Sequence, residues 1–124
     1  MGANLAPSVN AAGFILSSTN APRSAVGLGL LTNSQDLFGS DPFGIGIVLH
    51  VDLLFATQVI SFDLKSDAGG SGSASLPIPN NPGLAGSTFF AQTVWIEGRP
   101  TGQDCSTALL HLMSSRAVSL TIQP

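Results

Sequence analysis

Hydrophobic alternation with a period of two runs through most of this chain, broken at short intervals by turn residues. Val118, Leu120 and Ile122 alternate with Ser119, Thr121 and Gln123, as in a strand with one buried face. Phe62 and Leu64 alternate with Ser61, Asp63 and Lys65 in the same way. Ile45, Ile47, Leu49, Val51 and Leu53 share one face of a longer strand, with Gly46, Val48, His50 and Asp52 on the other. Phe14 and Leu16 mark an earlier strand, and Val26, Leu28 and Leu30 another. Residues 88–97 are apolar or β-branched on both faces, which predicts a central strand covered on two sides. Gln92 interrupts one of those faces, so it is expected to be buried with both ends of its amide hydrogen-bonded.

Turn signals separate these segments: Asn20-Ala21-Pro22, Gly39-Ser40-Asp41-Pro42, Asp67-Ala68-Gly69-Gly70, Asn80-Asn81-Pro82-Gly83 and Gly98-Arg99-Pro100. Residues 67–72 join two alternating segments and predict a hairpin. In Leu76-Pro77-Ile78-Pro79 the prolines fall on one side and have no N–H to donate, so the segment belongs at a sheet edge or a strand end. Residues 106–113, with Asp104 as a cap, fit a short helix or a strand. Seven or eight short strands without crossover helices predict a single all-β domain over residues 1–124. Its expected form is an antiparallel β-sandwich of jelly-roll or Ig-like type.

Charge narrows the partners. Only 9% of the residues are charged, against about a quarter in a typical domain. Arg23, Lys65, Arg99 and Arg116 are scattered, so no basic patch is available to neutralise a phosphate backbone, and nucleic acid is not an expected partner. No run approaches the ~20 apolar residues of a membrane helix, and no membrane span is expected. Met1-Gly2 opens neither a basic start nor an apolar run of the kind a signal peptide has. Cys105 stands alone and cannot form an intrachain disulfide. Lysines that ordinarily guard strand edges are nearly missing, which points to a homo-oligomer or a filament.

Residues 66–92 (SDAGGSGSASLPIPNNPGLAGSTFFAQ) resemble the C-terminal modules of large secreted proteins from planctomycete-type bacteria. Those modules carry a D-A-x-G hairpin, then L-P-I-P-N-x-P-x-L-x-G, then T-F-Y-A-Q. They close on a short strand similar to residues 114–122 (SSRAVSLTI). The resemblance covers about half the chain well; this chain lacks the cysteine often found before the hairpin and has an insertion around residues 98–105. It implies a secreted β-sandwich appended to other domains, and it carries no catalytic residues.

No catalytic constellation emerges from the residues themselves. A serine-hydrolase elbow is absent, because Gly69-Gly70-Ser71-Gly72-Ser73 lacks the final glycine and sits in a turn between strands. Cys105 and His111 have the spacing to meet across a turn, but nothing places a helix N-terminus beneath the thiol. His50 and Asp52 share a strand face at i, i+2, and His111 would have to join them to make a metal or hydrolytic site. Calcium near Asp63 and Asp67 lacks a D-x-D-x-D loop. Trp95 is the one tryptophan able to stack on a sugar ring, on a strand whose two faces are both apolar. The expectation is a non-catalytic secreted sandwich acting by contact, through self-assembly, surface attachment or domain docking, without a cofactor or metal. The alternatives are a carbohydrate-binding module for a cell-surface glycan, with Trp95, His50 and Asp52 as its candidate residues, and a small hydrolase or metalloenzyme using His50, Asp52 and His111.

Overall fold

The computed structural model describes residues 1–96 and 111–124. Glu97, the turn at 98–100, Cys105 and most of the 106–113 segment therefore lie outside the described residues. In chain order the strands are β1 (Gly2–Ala3), β2 (Ile15–Ser18), β3 (Val26–Thr32), β4 (Gln35–Ser40) and β5 (Leu49–Val51). They continue with β6 (Val59–Lys65), β7 (Gly72–Ser75), β8 (Thr88–Ile96), β9 (Leu112–Ser114) and β10 (Val118–Thr121). Every strand pair is antiparallel, and the fold is the expected all-β sandwich. Among the described residues there are ten strands against the seven or eight expected, because β1, β4 and β9 are too short or too irregular to announce themselves by alternation. The end of the 106–113 segment is strand, since Leu112 and Met113 pair with Ile96 and Trp95.

The larger sheet runs β10-β8-β3-β6, with β9 beside the far half of β8. Its inner face packs on the smaller sheet β1-β2-β7. That face is built around two glycines. Gly27 and Gly29 of β3 lie opposite Trp95 of β8 and Phe62 of β6 respectively. A Cβ on Gly27 would stand 2.5 Å from the Trp95 ring, and one on Gly29 would fall inside the Phe62 ring. The absent side chains are therefore sockets in which neighbouring aromatic rings lie on bare backbone, so the glycine-rich V-G-L-G-L segment is a packed strand. Phe14, Leu16, Ala91 and Leu64 complete the buried layer.

The outer face would be left uncovered by a two-sheet sandwich. The β3–β6 connection solves this by folding back over it. Ile47, Leu49 and Val51 turn inward against Leu30 and are flanked by Phe90 and Val94. The alternation read from the sequence over Ile45–Leu53 is thus correct in its facing, although only Leu49–Val51 is a paired strand. Gln92 pins this layer down. It is fully buried; its Nε2 donates to the carbonyls of Val48 and Ser115, and its Oε1 accepts from the His50 amide at 2.8 Å. At the base of the excursion the Asn33 Oδ1 accepts from the amides of Thr57 and Gln58, and the Asn33 amide donates to the Gln58 carbonyl.

One expectation is corrected. Residues 67–72 close a tight antiparallel turn, with the Ser66–Gly72 bridge and the Asp67 amide donating to the Ser71 carbonyl, but they do not join a two-stranded hairpin, because β6 and β7 belong to different sheets. They form an arch between layers. Its geometry is set by the Asp67 Oδ1, which accepts from the amides of Gly69 and Ser71, and by Gly70 at φ +80°, where a Cβ would stand 2.5 Å from the Ala21 carbonyl. Beyond β7, Leu76 and Ile78 donate to Phe14 and Ala11, so Pro77 falls on the open side of the smaller sheet, while the Pro79 carbonyl turns in to accept from the Asn10 amide and ends the run.

Candidate functional site

The residues singled out by sequence are not brought together. The Trp95 ring is 2% exposed, wedged against Gly27 and Gly72, and offers no surface to a sugar. His50 sits on the outer side of β5 with its Nδ1 3.3 Å from the Asp36 carbonyl. Asp52 is engaged locally, as described below. His111 is exposed at the start of β9, with φ at +54°. Among the described residues no group of three or more His, Cys, Asp or Glu is placed to hold a metal ion. Asp67 spends its carboxylate on the arch. No helix among the described residues is long and apolar enough to cross a membrane.

A different feature dominates the surface, and it lies on the excursion. Three aspartates there each brace a turn that holds a phenylalanine out into solvent. The Asp36 Oδ1 accepts from the amides of Phe38 and Gly39 at 3.1 and 3.0 Å. The Asp41 carboxylate accepts from Ile45 and Gly46 at 3.1 and 2.7 Å, closing a loop that carries Phe43. The Asp52 Oδ1 accepts from Leu54 and Phe55, both at 2.9 Å, while its Oδ2 accepts from the Ser34 hydroxyl. Two of the turns share a D-x-F-G pattern and end on a glycine in the left-handed region, Gly39 at φ +74° and Gly44 at +64°. Those conformations suit glycine and are costly for other residues.

At two of the braces these hydrogen bonds favour the charged carboxylate. The Gly46 amide, then that of Ile45, holds the Asp41 carboxyl below the usual aspartate range. The Phe55 amide, then those of Leu54 and the Ser34 hydroxyl, does the same for Asp52. An amide donor stabilises the charged form, and that preference lowers the pKa.

Phe38 is 94% exposed and Phe55 83%, and Leu37, Phe43 and Leu54 are also exposed. Leu37, Phe38, Pro42, Leu54 and Phe55 line one groove of about 410 Å³ together with Gln35, Asp36, Ser40 and Asp52. Residues 33–58 contain three aspartates and no lysine or arginine. Sequence reasoning passed over this surface because the phenylalanines merge with the apolar alternation on either side. The signal that finds it is the five-residue repeat D-L-F-G-S, D-P-F-G-I at residues 36–45.

A second concavity, of about 680 Å³, opens between the two sheets where they splay away from the arch. Val59 and Ile60 of β6 line one side and Leu76–Pro79 the other, over a floor that includes Phe14, Phe89 and Leu120. Comparison of the chain with protein-family models, with curated proteins and with solved structures gave no match.

Proposed function

We propose that this domain is a non-catalytic contact module of secreted type, which docks on a protein partner through the braced turns of the 33–58 excursion. The observation that carries the reading is the display of Leu37, Phe38, Phe43, Leu54 and Phe55 in solvent on turns rigidified by three carboxylates. Leu37, Phe38, Leu54 and Phe55 line one groove, and an exposed apolar patch of this kind marks a contact surface. Turns fixed in advance lose little conformational entropy on docking. The excursion, which carries three aspartates and no lysine or arginine, calls for a partner that presents apolar groups flanked by lysine or arginine. Secretion rests on the resemblance of residues 66–92 to modules of large secreted proteins.

A second reading is attachment to a cell-surface glycan. Gln35, Asp36, Ser40 and Asp52 line the groove beside Phe38 and Phe55, which is the mixture of polar groups and rings that a sugar uses. It ranks below the first because the carboxylates are already committed to backbone amides.

Titration of the isotope-labelled protein with an amphipathic Leu/Lys peptide, and with its Leu/Glu counterpart, tests the first reading. Amide shifts should cluster at residues 36–39 and 52–56 with the lysine peptide alone. The double variant Phe38→Ser, Phe55→Ser should bind at least about tenfold more weakly. Shifts spread evenly over the domain, or equal for both peptides, reject it. Binding of a saccharide panel that depends on Phe38 and Asp36 moves the assignment to the second reading.

A further inference from the structure

The two sheets present neighbouring edges on the side where the arch joins them, and the edges differ. The smaller sheet ends in Leu76–Pro79, where Pro77 turns a donor-less side outward. Among the described residues the larger sheet ends in β6, which pairs with β3. The bonds Ser66 N to Ala25 O and Asn33 N to Gln58 O fix the hydrogen-bonded pairs of that ladder. Residues 60, 62 and 64 therefore point their amides and carbonyls at β3, and Val59, Ser61 and Asp63 point theirs away from it. From Lys65 onward the edge is occupied, since Asp67 donates to Ser71 and Ser66 bridges Gly72. Over Val59–Asp63 no partner for these outward groups is found among the described residues. This stretch contains no proline, no lysine and no bulge, the devices that ordinarily block pairing.

We propose that β6 pairs antiparallel with β6 of a second copy, about a two-fold axis at Ser61, joining two larger sheets into one. The register follows from what the edge offers. Only residues 59, 61 and 63 have free outward groups, so all three are used in both copies when 59 meets 63, 61 meets 61 and 63 meets 59. Each of these pairs exchanges two hydrogen bonds. A shift of the axis to residue 60 or 62 leaves an open residue facing an occupied or absent one. A shift to 63 sets Asp63 directly against its own copy, an unfavourable like-charge pair. In the Ser61-centred register Asp63 faces Val59, and the two Asp63 carboxylates lie roughly four residues apart along the strand, about 13 Å. On the inner face Ile60 meets Phe62 of the copy in both directions, an aromatic–aliphatic cross-strand pair. Ile60 is half exposed in the single chain, and this pairing covers it. An isologous axis perpendicular to the sheet puts both smaller sheets on the same side, so the apolar concavities lined by Ile60 and Leu76–Pro79 face each other across the junction.

The inference belongs within the contact reading but uses a surface separate from the excursion turns, and sedimentation equilibrium on the full chain separates the two. The wild-type chain is expected at twice 12.6 kDa in the high micromolar range. Ser61 is exposed, so Ser61→Lys and Ser61→Glu each leave the fold intact by circular dichroism while setting like charges against each other on the axis. Each variant alone should sediment as a monomer, and an equimolar mixture should recover the dimer because the charges then oppose. A monomeric wild type overturns the inference. So does a dimer that survives Ser61→Lys, or a mixture that stays monomeric. A dimer that survives Ser61→Lys and is lost in the Phe38→Ser, Phe55→Ser variant overturns it while supporting the excursion as the contact surface. A monomeric wild type that still binds the lysine peptide at residues 36–39 does the same.

Discussion

The two faces of β8 are buried by different physics. On the inner side Trp95 settles onto the bare backbone of Gly27, and stability comes from close contact between ring and strand. On the outer side the cover is a piece of loop, Ile45–Leu53, whose apolar contacts with Leu30, Phe90 and Val94 are supplemented by a clamp through Gln92. A loop has carbonyls and amides that no ladder satisfies, so whatever holds it over an apolar face must also answer its polar groups. Gln92 does both. The inner face is general and unforgiving of volume change, and the outer face is directional, held by a few hydrogen bonds of which Gln92 supplies three.

Substitutions sharpen this contrast. Trp95→Ala should be the most damaging, at roughly 3–5 kcal/mol, because it empties a site that Gly27 and Gly72 cannot collapse to fill. Chemical denaturation would show it as a loss of global stability, with no region spared. Gln92→Leu should cost about 1–3 kcal/mol by orphaning the His50 amide and the Ser115 carbonyl and leaving the Val48 carbonyl to the Ser114 hydroxyl alone. Hydrogen exchange should then rise in residues 45–53 before it rises in β3 or β8; a uniform rise would mean the excursion is no separate layer. Asn33→Ala removes the clamp at the excursion's base, and about 1 kcal/mol is expected from these exposed bonds.

Acid should produce the smallest effect and confine it to the turns. The folded-state pKa values of Asp41 and Asp52 lie below the ordinary value. Their contribution is therefore complete above the ordinary aspartate pKa, roughly 4, and is lost as the pH falls through the lower folded values. Amide shifts of Gly46 and Phe55 should follow that titration while those of β3 and β8 stay in place. Titration of the core amides over the same range would deny the turns their independence.

Much of this architecture is legible in the residues. Gln92 could be placed because a lone amide on an apolar face has one economical explanation. Leu76-Pro77-Ile78-Pro79 could be placed because proline cannot donate. The assignment of β6 and β7 to separate sheets could not, since period-two alternation fixes which residues share a face and is silent about which sheet the face belongs to. Gly27 and Gly29 were equally mute, because what they accommodate comes from strands distant in sequence. The excursion turns went unread for a related reason: Leu54 and Phe55 continue the apolar run of Leu49, Val51 and Leu53, and composition alone does not tell a displayed phenylalanine from a buried one.

The glycine sockets also make the molecule its own optical reporter. Trp95 is the single tryptophan in a chain without tyrosine, so the near-ultraviolet signal of the domain comes almost entirely from one ring. That ring is sealed between strand backbones, and the excursion turns are not among the groups that close over it, whereas Phe62 of the open β6 stretch packs on the same cluster. Its emission should be that of an indole shielded from water, should stay constant while a peptide binds, and should shift to the red only when the inner face opens. Unfolding can then be followed on one unlabelled sample without peptide binding being mistaken for it.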